Sequence, residues 1–227
     1  MSFQDLGARL AEVADRVAAA VARGGHGQRV TLIAVTKTHG PDAVHAAWQA
    51  GVQNVGENKV QEALGKMAAV DVPVRWHLIG HLQRNKVRDL DHFAVVHSID
   101  RVSIADAVSA YGIARKRSVD ALVQVNIAGE DTKGGFAPAE MPAQSEQFVT
   151  RAGVRVTGVM TMAPLGADER TTRMVFQGAR AARELLVSAG HPAFDLSMGM
   201  SNDYELAVEE GATMIRLGTV LFGERGL

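Results

Sequence analysis

The feature that most constrains this chain is a rhythm. Eight short apolar runs recur along it, each followed by a stretch with helical spacing, and no composition break separates one pair from the next. The runs are VTLIAVTK at 30–37, VQNVGEN at 52–58, PVRWHLIGH at 73–81, FAVVHSI at 93–99, VDALVQVNI at 119–127, VRVTGVMTM at 154–162, the short AFDLSMGM at 193–200 and ATMIRLG at 212–218. Continuous β-branched runs bounded by turn residues read as strands buried on both faces, and strands alternating with helices force a parallel sheet. Eight such units close most naturally into a barrel. The expectation is therefore an α/β fold, one (β/α)8 barrel spanning residues 1–227. A doubly wound open sheet is the alternative, but no G-x-G-x-x-G follows the first run.

The intervening segments fit. Leu6, Leu10, Val13, Val17 and Val21 recur at spacings of three and four before Gly24-Gly25, predicting an extra N-terminal helix that plugs or flanks the bottom of the barrel. Pro41 opens the next helix, which stops at Gly51. Further helices are expected over 59–70, from about Gln83 to Leu90, over 102–116, from about Ala139 to Arg151, up to about Ser188, and from Ser201-Asn202-Asp203 through Glu209. Asn202 and Glu205 have the spacing of a capping box.

In a barrel, residues at the strand exits converge on one mouth. Here they are Lys37 and Thr38, Glu57 and Asn58, His77 and His81, His97 and Ser98, Asn126, Met160 and Thr161, Ser197 and Ser201, then Arg216, Gly218 and Thr219. Nearly every strand ends in a hydrogen-bonding group. Lys37 is a lone amine at the end of a buried strand. Partial desolvation lowers a lysine pKa and lets it attack an aldehyde to form an imine, whereas an ordinary strand-end lysine reaches for water. After runs seven and eight, S-M-G-M-S-N-D and R-L-G-T bring hydroxyls and glycines to a helix N-terminus, an arrangement that favours an anion; taken singly, Ser201 or Asn202 is an N-cap and Gly218 a turn. An aldehyde-binding lysine and a phosphate cradle across one mouth suggest pyridoxal 5′-phosphate. Arg216 fits one of two roles, a rim salt bridge or a neighbour of the pyridine nitrogen. An arginine cannot accept a proton, so it would keep that nitrogen unprotonated and the electron sink weak.

Composition removes other chemistries. There are no cysteines, which excludes disulfides and thiolate nucleophiles, and a formal charge of −1 gives no footprint for nucleic acid. No run approaches membrane-spanning length and the N-terminus lacks a signal-peptide pattern, so a cytoplasmic protein without membrane association is expected. His77 and His81 share the i, i+4 spacing of helical metal ligands but straddle a strand exit and a glycine, so no metal site is expected. GEDTKGG is not a phosphate-binding Walker loop and reads as a mobile cover over the mouth.

TLIAVTKTHG, VGENKVQEAL, WHLIGHLQRNK, VHSID, VQVNIAGEDTKGGF, GVMTMAP and FDLSMGMSNDYELAVEEGATMIRLGTVLFG closely resemble the single-domain pyridoxal phosphate homeostasis proteins, which are similar to the N-terminal barrel of alanine racemase. The resemblance runs from about Val30 to Gly223. It implies an alanine racemase-like barrel with pyridoxal 5′-phosphate bound as an imine to Lys37. It also implies phosphate contacts from Ser201, Gly218 and Thr219, Arg216 near the pyridine nitrogen, Asn58 lining the ring, and Ser197 and Met200 beside the cofactor. Two positions depart from the family pattern: His81 stands where proline is common, and the loop after run five reads AGEDTKGGF.

Two functions use these parts. The first is a carrier or buffer that holds the cofactor on Lys37 and passes it to apo-enzymes, with a monomer as the expected state. The second is an amino-acid racemase or a related enzyme using the same imine. Racemisation needs an acid/base on each face of the ring, in alanine racemase-type enzymes a tyrosine opposite the lysine. The sequence ends at Leu227 soon after run eight, and its two tyrosines, Tyr111 and Tyr204, lie away from the strand exits. The carrier is the expected function.

Overall fold

A computed structural model describes residues 3–130 and 132–223. Eight parallel strands close into a barrel in sequence order: β1 (Thr31–Val35), β2 (Asn54–Glu57), β3 (Arg75–Leu78), β4 (Val95–Ile99), β5 (Val119–Gln124), β6 (Val154–Met160), β7 (Asp195–Ser197) and β8 (Met214–Leu217), with β8 paired back onto β1. The helices are α1 (Leu6–Gly24), α2 (Pro41–Gln49), α3 (Val60–Ala69), α4 (Val102–Ala114), α5 (Met141–Val149), α6 (Glu169–Ser188), α7 (Tyr204–Glu209) and α8 (Thr219–Phe222). The barrel expected from the eight-fold rhythm is the one observed. Among the described residues no helix is long and apolar enough to cross a membrane.

Register decides what faces the axis. Ile33 pairs with Arg216, Val35 with Gly56, and Gly56 with His77, so these positions share the inner face, while the alternating Ala34, Val55, Trp76 and Leu78 turn outward. The outward set joins one large apolar core with the surrounding helices, whereas Val95, Leu122 and Met160 form a small separate cluster on the inside. Helix α1 ends where expected, with Gly25 left-handed at φ 68° and its N–H bonded to Val21 O at 3.1 Å. It packs on α7 and α8 and so flanks the barrel rather than plugging it.

One local expectation is refined and one fails, for identifiable reasons. The helix expected after β3 forms as a 3-10 helix, Arg84–His92. Its buried residues are Val87 and Leu90, three apart, which is the period at which a 3-10 helix stacks its side chains. The capping box at Asn202 and Glu205 does not form. Helix α7 starts one residue later with Asp203 at its N-cap, and that carboxylate turns back to accept the Met200 N–H at 2.6 Å. Glu205 is drawn away to Arg16 and Arg23 of α1.

Candidate functional site

The mouth is built from the turn after β1 outward. Thr36, Lys37, Thr38 and His39 form a tight turn closed by His39 N–H to Thr36 O at 3.0 Å. Thr38 has φ 69°, a left-handed conformation unfavourable for a β-branched residue, so neighbouring contacts must hold it there. They come from α3. Lys66 Nζ donates to Thr36 O at 2.7 Å, to Glu57 Oε1 at 2.7 Å and to Glu62 Oε1 at 2.8 Å. Glu62 Oε1 accepts the Thr38 N–H, and Glu57 Oε1 accepts from the Thr36 hydroxyl. Thr36, Glu57 and Lys66 are all buried. Burial pushes the Glu57 carboxyl above its ordinary value, opposed by the hydrogen bonds from Lys66 and Thr36. Thr36 and Glu57 face outward between strand and helix, while half-buried Lys37, one position on, lies between the two residues so gripped.

The same turn is docked on the other side. His39 packs against Phe222 of α8 with ring centroids 5.2 Å apart. Gly218, between β8 and α8, lies against Val35, where a Cβ would stand 3.4 Å from the Val35 carbonyl oxygen. The loop after β7 closes onto this corner, since Ser201 Oγ accepts the Val220 N–H at 3.3 Å. Gly199 makes the bend possible with φ 92°. The turn that carries Lys37 and the segments that carry Ser201, Gly218 and Thr219 therefore meet at one corner of the mouth. The helix-dipole contribution expected there is small, because α7 spans 6 residues and α8 spans 4. Backbone N–H groups and hydroxyls make up the cup.

Asn58 follows β2, and its backbone lies against Gly80 after β3. A Cβ on Gly80 would fall 2.3 Å from Asn58 O, so only glycine permits the approach. Met200 is half-buried beside Ser201, its N–H fixed by Asp203, whose own pKa is raised by burial.

Arg216 is buried inside the barrel. Nη1 donates to Ser197 Oγ at 2.6 Å and Nη2 to Thr161 O at 3.0 Å. Burial lowers its pKa to about 10, opposed by the charge of Asp203, and it stays cationic at neutral pH. A rim salt bridge is thus ruled out in favour of the inward position. The polar line continues from Ser197 Oγ to His97 Nδ1 at 2.9 Å, from His97 Nε2 to His77 Nδ1 at 2.9 Å, and from His77 Nε2 to Asn54 Oδ1 at 3.0 Å. Burial lowers the His77 pKa to about 4 and takes that of His97 well below its ordinary value.

His77 and His81 have separate partners, because His81 Nδ1 bonds Asp100 Oδ2 at 2.8 Å at the rim. The glycine-rich loop after β5 is tied at its base. Asn126 Nδ2 donates to Glu130 O and Lys133 O, Gln124 Nε2 donates to Gly134 O at 2.6 Å, and Lys133 Nζ reaches Ala163 O at 3.1 Å; Asp131 in this loop lies outside the described residues. Tyr204 is buried and bonds Arg16 of α1, and Tyr111 stacks with Arg115 near the end of α4 at 5.5 Å. Sequence reasoning missed Asn54, Lys66, Glu62, Asp100 and Asp203 as supports of the site. The i, i+4 spacing of Glu62 and Lys66 was the one available signal.

These residues fit pyridoxal 5′-phosphate. A buried guanidinium held by two neutral oxygens suits an acceptor ligand, and the Ser201–Gly218–Thr219 cup suits a phosphate. The alanine racemase N-terminal domain family matches residues 9–226. The chain is 42% identical over 219 residues to the pyridoxal phosphate homeostasis protein of Pseudomonas aeruginosa, covering 95% of this chain and 94% of that one. It is 38% identical over 221 residues to the namesake from Aquifex aeolicus, covering 96% and 97%. Among solved structures it is similar to PipY of Synechococcus elongatus with pyridoxal phosphate bound, at TM-score 0.85 and 37% identity, covering 96% of this chain and all of that one. The chain belongs to the alanine racemase N-terminal domain family, and within it to the pyridoxal phosphate homeostasis proteins.

Proposed function

We propose that this chain holds pyridoxal 5′-phosphate reversibly on Lys37, buffers the reactive aldehyde and releases it to apo-enzymes that need it. When bound, the group supplies an aldehyde carbon that condenses with a primary amine and releases water. Lys37 offers that amine, Ser201, Gly218 and Thr219 hold the phosphate, and Arg216 donates to the pyridine nitrogen. Asn58 lines the ring, and Ser197 and Met200 sit beside it. The observation that carries this reading is the pairing of β1 with β8. With Ile33 opposite Arg216 and Gly218 against Val35, the turn that carries Lys37 and the turn that carries Gly218 and Thr219 leave the barrel as neighbours, which supports one ligand reaching both. The tyrosines support a carrier over a racemase, since Tyr204 is engaged by Arg16 and Tyr111 lies at the far end of α4. We further infer a cytoplasmic monomer.

The test is an absorption spectrum with and without added pyridoxal 5′-phosphate, followed by borohydride reduction and mapping of the modified peptide. The expected result is a reducible chromophore fixed on Lys37 that Lys37→Ala protein lacks and that fades as an apo-enzyme regains activity. A chromophore retained by the Lys37→Ala protein refutes the assignment.

A further inference from the structure

We propose that Ser197, His97, His77 and Asn54 form a one-way hydrogen-bond chain that positions Arg216 for the pyridine end of the cofactor, making Ser197 and His97 positioning residues of the site. The inference rests on the reading that Arg216 meets the pyridine nitrogen.

Its direction follows from donor counts. A guanidinium has only N–H groups to offer, so at 2.6 Å from Arg216 Nη1 the Ser197 oxygen is an acceptor. The single Ser197 proton is then directed to His97 Nδ1, 2.9 Å away, which must be bare. A neutral imidazole with a bare Nδ1 carries its proton on Nε2, and that proton meets His77 Nδ1 at 2.9 Å. The same rule puts the His77 proton on Nε2, facing Asn54 Oδ1 at 3.0 Å. Every link has one proton and no donor or acceptor is left over. The reversed order would strand the Ser197 proton and would require the Asn54 amide to turn over and present its N–H to His77. A charged ring would place a second cation beside a buried guanidinium. His77, His97, Ser197 and Arg216 are all buried, so water cannot repair a broken link.

The consequence is electrostatic. Each link turns its electron-rich end toward Arg216, so the charge is stabilised by aligned neutral dipoles. Among the described residues Asp203 is the one carboxylate whose charge bears on Arg216, and the hydrogen bonds of the guanidinium go to Ser197 and Thr161. A carboxylate fork would occupy both ends of the guanidinium, whereas Ser197 and Thr161 take one N–H each from Nη1 and Nη2 and leave others for a ligand.

The experiment has two parts. In nitrogen-15 NMR of the cofactor-free protein at pH 7, both His77 and His97 are expected as neutral Nε2–H tautomers, with assignment by His77→Asn and His97→Asn spectra. A Nδ1–H tautomer or an imidazolium at either ring overturns the chain without reference to the cofactor. The second part splits the chain at position 97 and titrates pyridoxal 5′-phosphate. His97→Asn keeps an acceptor for Ser197, and its dissociation constant and absorption maximum should stay near those of the parent protein. His97→Gln keeps only the His77 link, and binding should weaken about tenfold with a displaced absorption maximum, the factor one buried hydrogen bond carries. Equal behaviour of the two variants overturns the positioning role. A parent protein that forms no linkage at Lys37 overturns the proposed function instead.

Discussion

Two buried polar networks support the mouth, and they are built on opposite principles. On the outer face of β1 and β2, Lys66, Glu57 and Glu62 are charged and clamp the strained turn that carries Lys37. Inside the barrel, His77, His97 and Ser197 are neutral and hold one cation, Arg216. The first network must keep an exposed turn with φ 69° at Thr38 from relaxing, and strong charge-assisted bonds suit that task. The second faces the site, where a buried carboxylate would compete with the ligand for the guanidinium. The difference shows that the amine is fixed by force and the arginine by alignment.

The ionic network should break hardest. Lys66→Met leaves Glu57 buried without its cation, and unfolding by urea at pH 7 is expected to show a loss of about 3–5 kcal/mol. An uncompensated Glu57 has its folded pKa raised further above the unfolded value, so the loss should shrink as pH falls and the folded state takes up the proton first. The double variant Lys66→Met/Glu57→Leu should recover most of the stability while binding the cofactor more weakly than the parent protein, because Thr36 has lost both its partners and Glu62 alone still holds Thr38. Full recovery of both would show that the clamp serves stability alone.

The neutral network should respond to acid instead. His77 has a folded pKa of about 4 against 6.5 for the free side chain, so the unfolded chain binds its proton first. The stability of the neutral ring is therefore fully present above pH 6.5 and is lost as pH falls toward 4, by about 3 kcal/mol, with His97 adding in the same sense. Glu62, held below its ordinary value, keeps its contribution above the usual carboxylate range and loses it as pH falls through that range. Glu57, Asp195 and Asp203, raised by burial, act in the opposite sense as pH falls, so the histidine part is read as the difference between the parent protein and a His77→Asn variant. The His77→Asn protein should show a reduced slope between pH 6.5 and 5, and equal slopes in the two proteins would mean that the His77 ring is not neutral and buried.

The same contrast explains what could be read from the chain. The barrel was legible because eight apolar runs alternate with helical spacing, and Lys37, Ser201, Gly218 and Arg216 were legible because each ends or follows a strand. The 3-10 segment after β3 was not, since Val87 and Leu90 suit either helix until burial selects the three-residue period. The neutral chain was hidden for a topological reason. Asn54, His77, His97, Ser197 and Arg216 come from five strands, and only the register aligns them. Asp203 shows a further limit: its carboxylate looked like an ordinary start of a helix and instead folds back on Met200.

Gly80→Ala tests the ring wall between the two networks. The added methyl would lie 2.3 Å from Asn58 O and 2.7 Å from Asn58 Cα, contacts that backbone movement alone can relieve. An overpacking loss of about 2 kcal/mol is expected in thermal or urea unfolding, with weaker cofactor binding because Asn58 moves. Unchanged binding in a destabilised protein would remove Asn58 from the site.

The smallest expected effect concerns the corner between β7 and β8, outside both networks. Ser201 Oγ accepts the Val220 N–H at 3.3 Å, a long bond at a half-buried position, so Ser201→Ala should leave unfolding nearly unchanged. If the hydroxyl also donates to the phosphate, cofactor dissociation should quicken by an amount equivalent to about 1 kcal/mol. Thr219→Ala should behave alike, and inorganic phosphate should compete less well with the cofactor in both variants than in the parent protein. Unaltered release in both would move the phosphate away from the β7–β8 corner. The amine and the arginine would then serve a ligand of different length, because Lys37 and Arg216 are fixed by separate networks and cannot shift together.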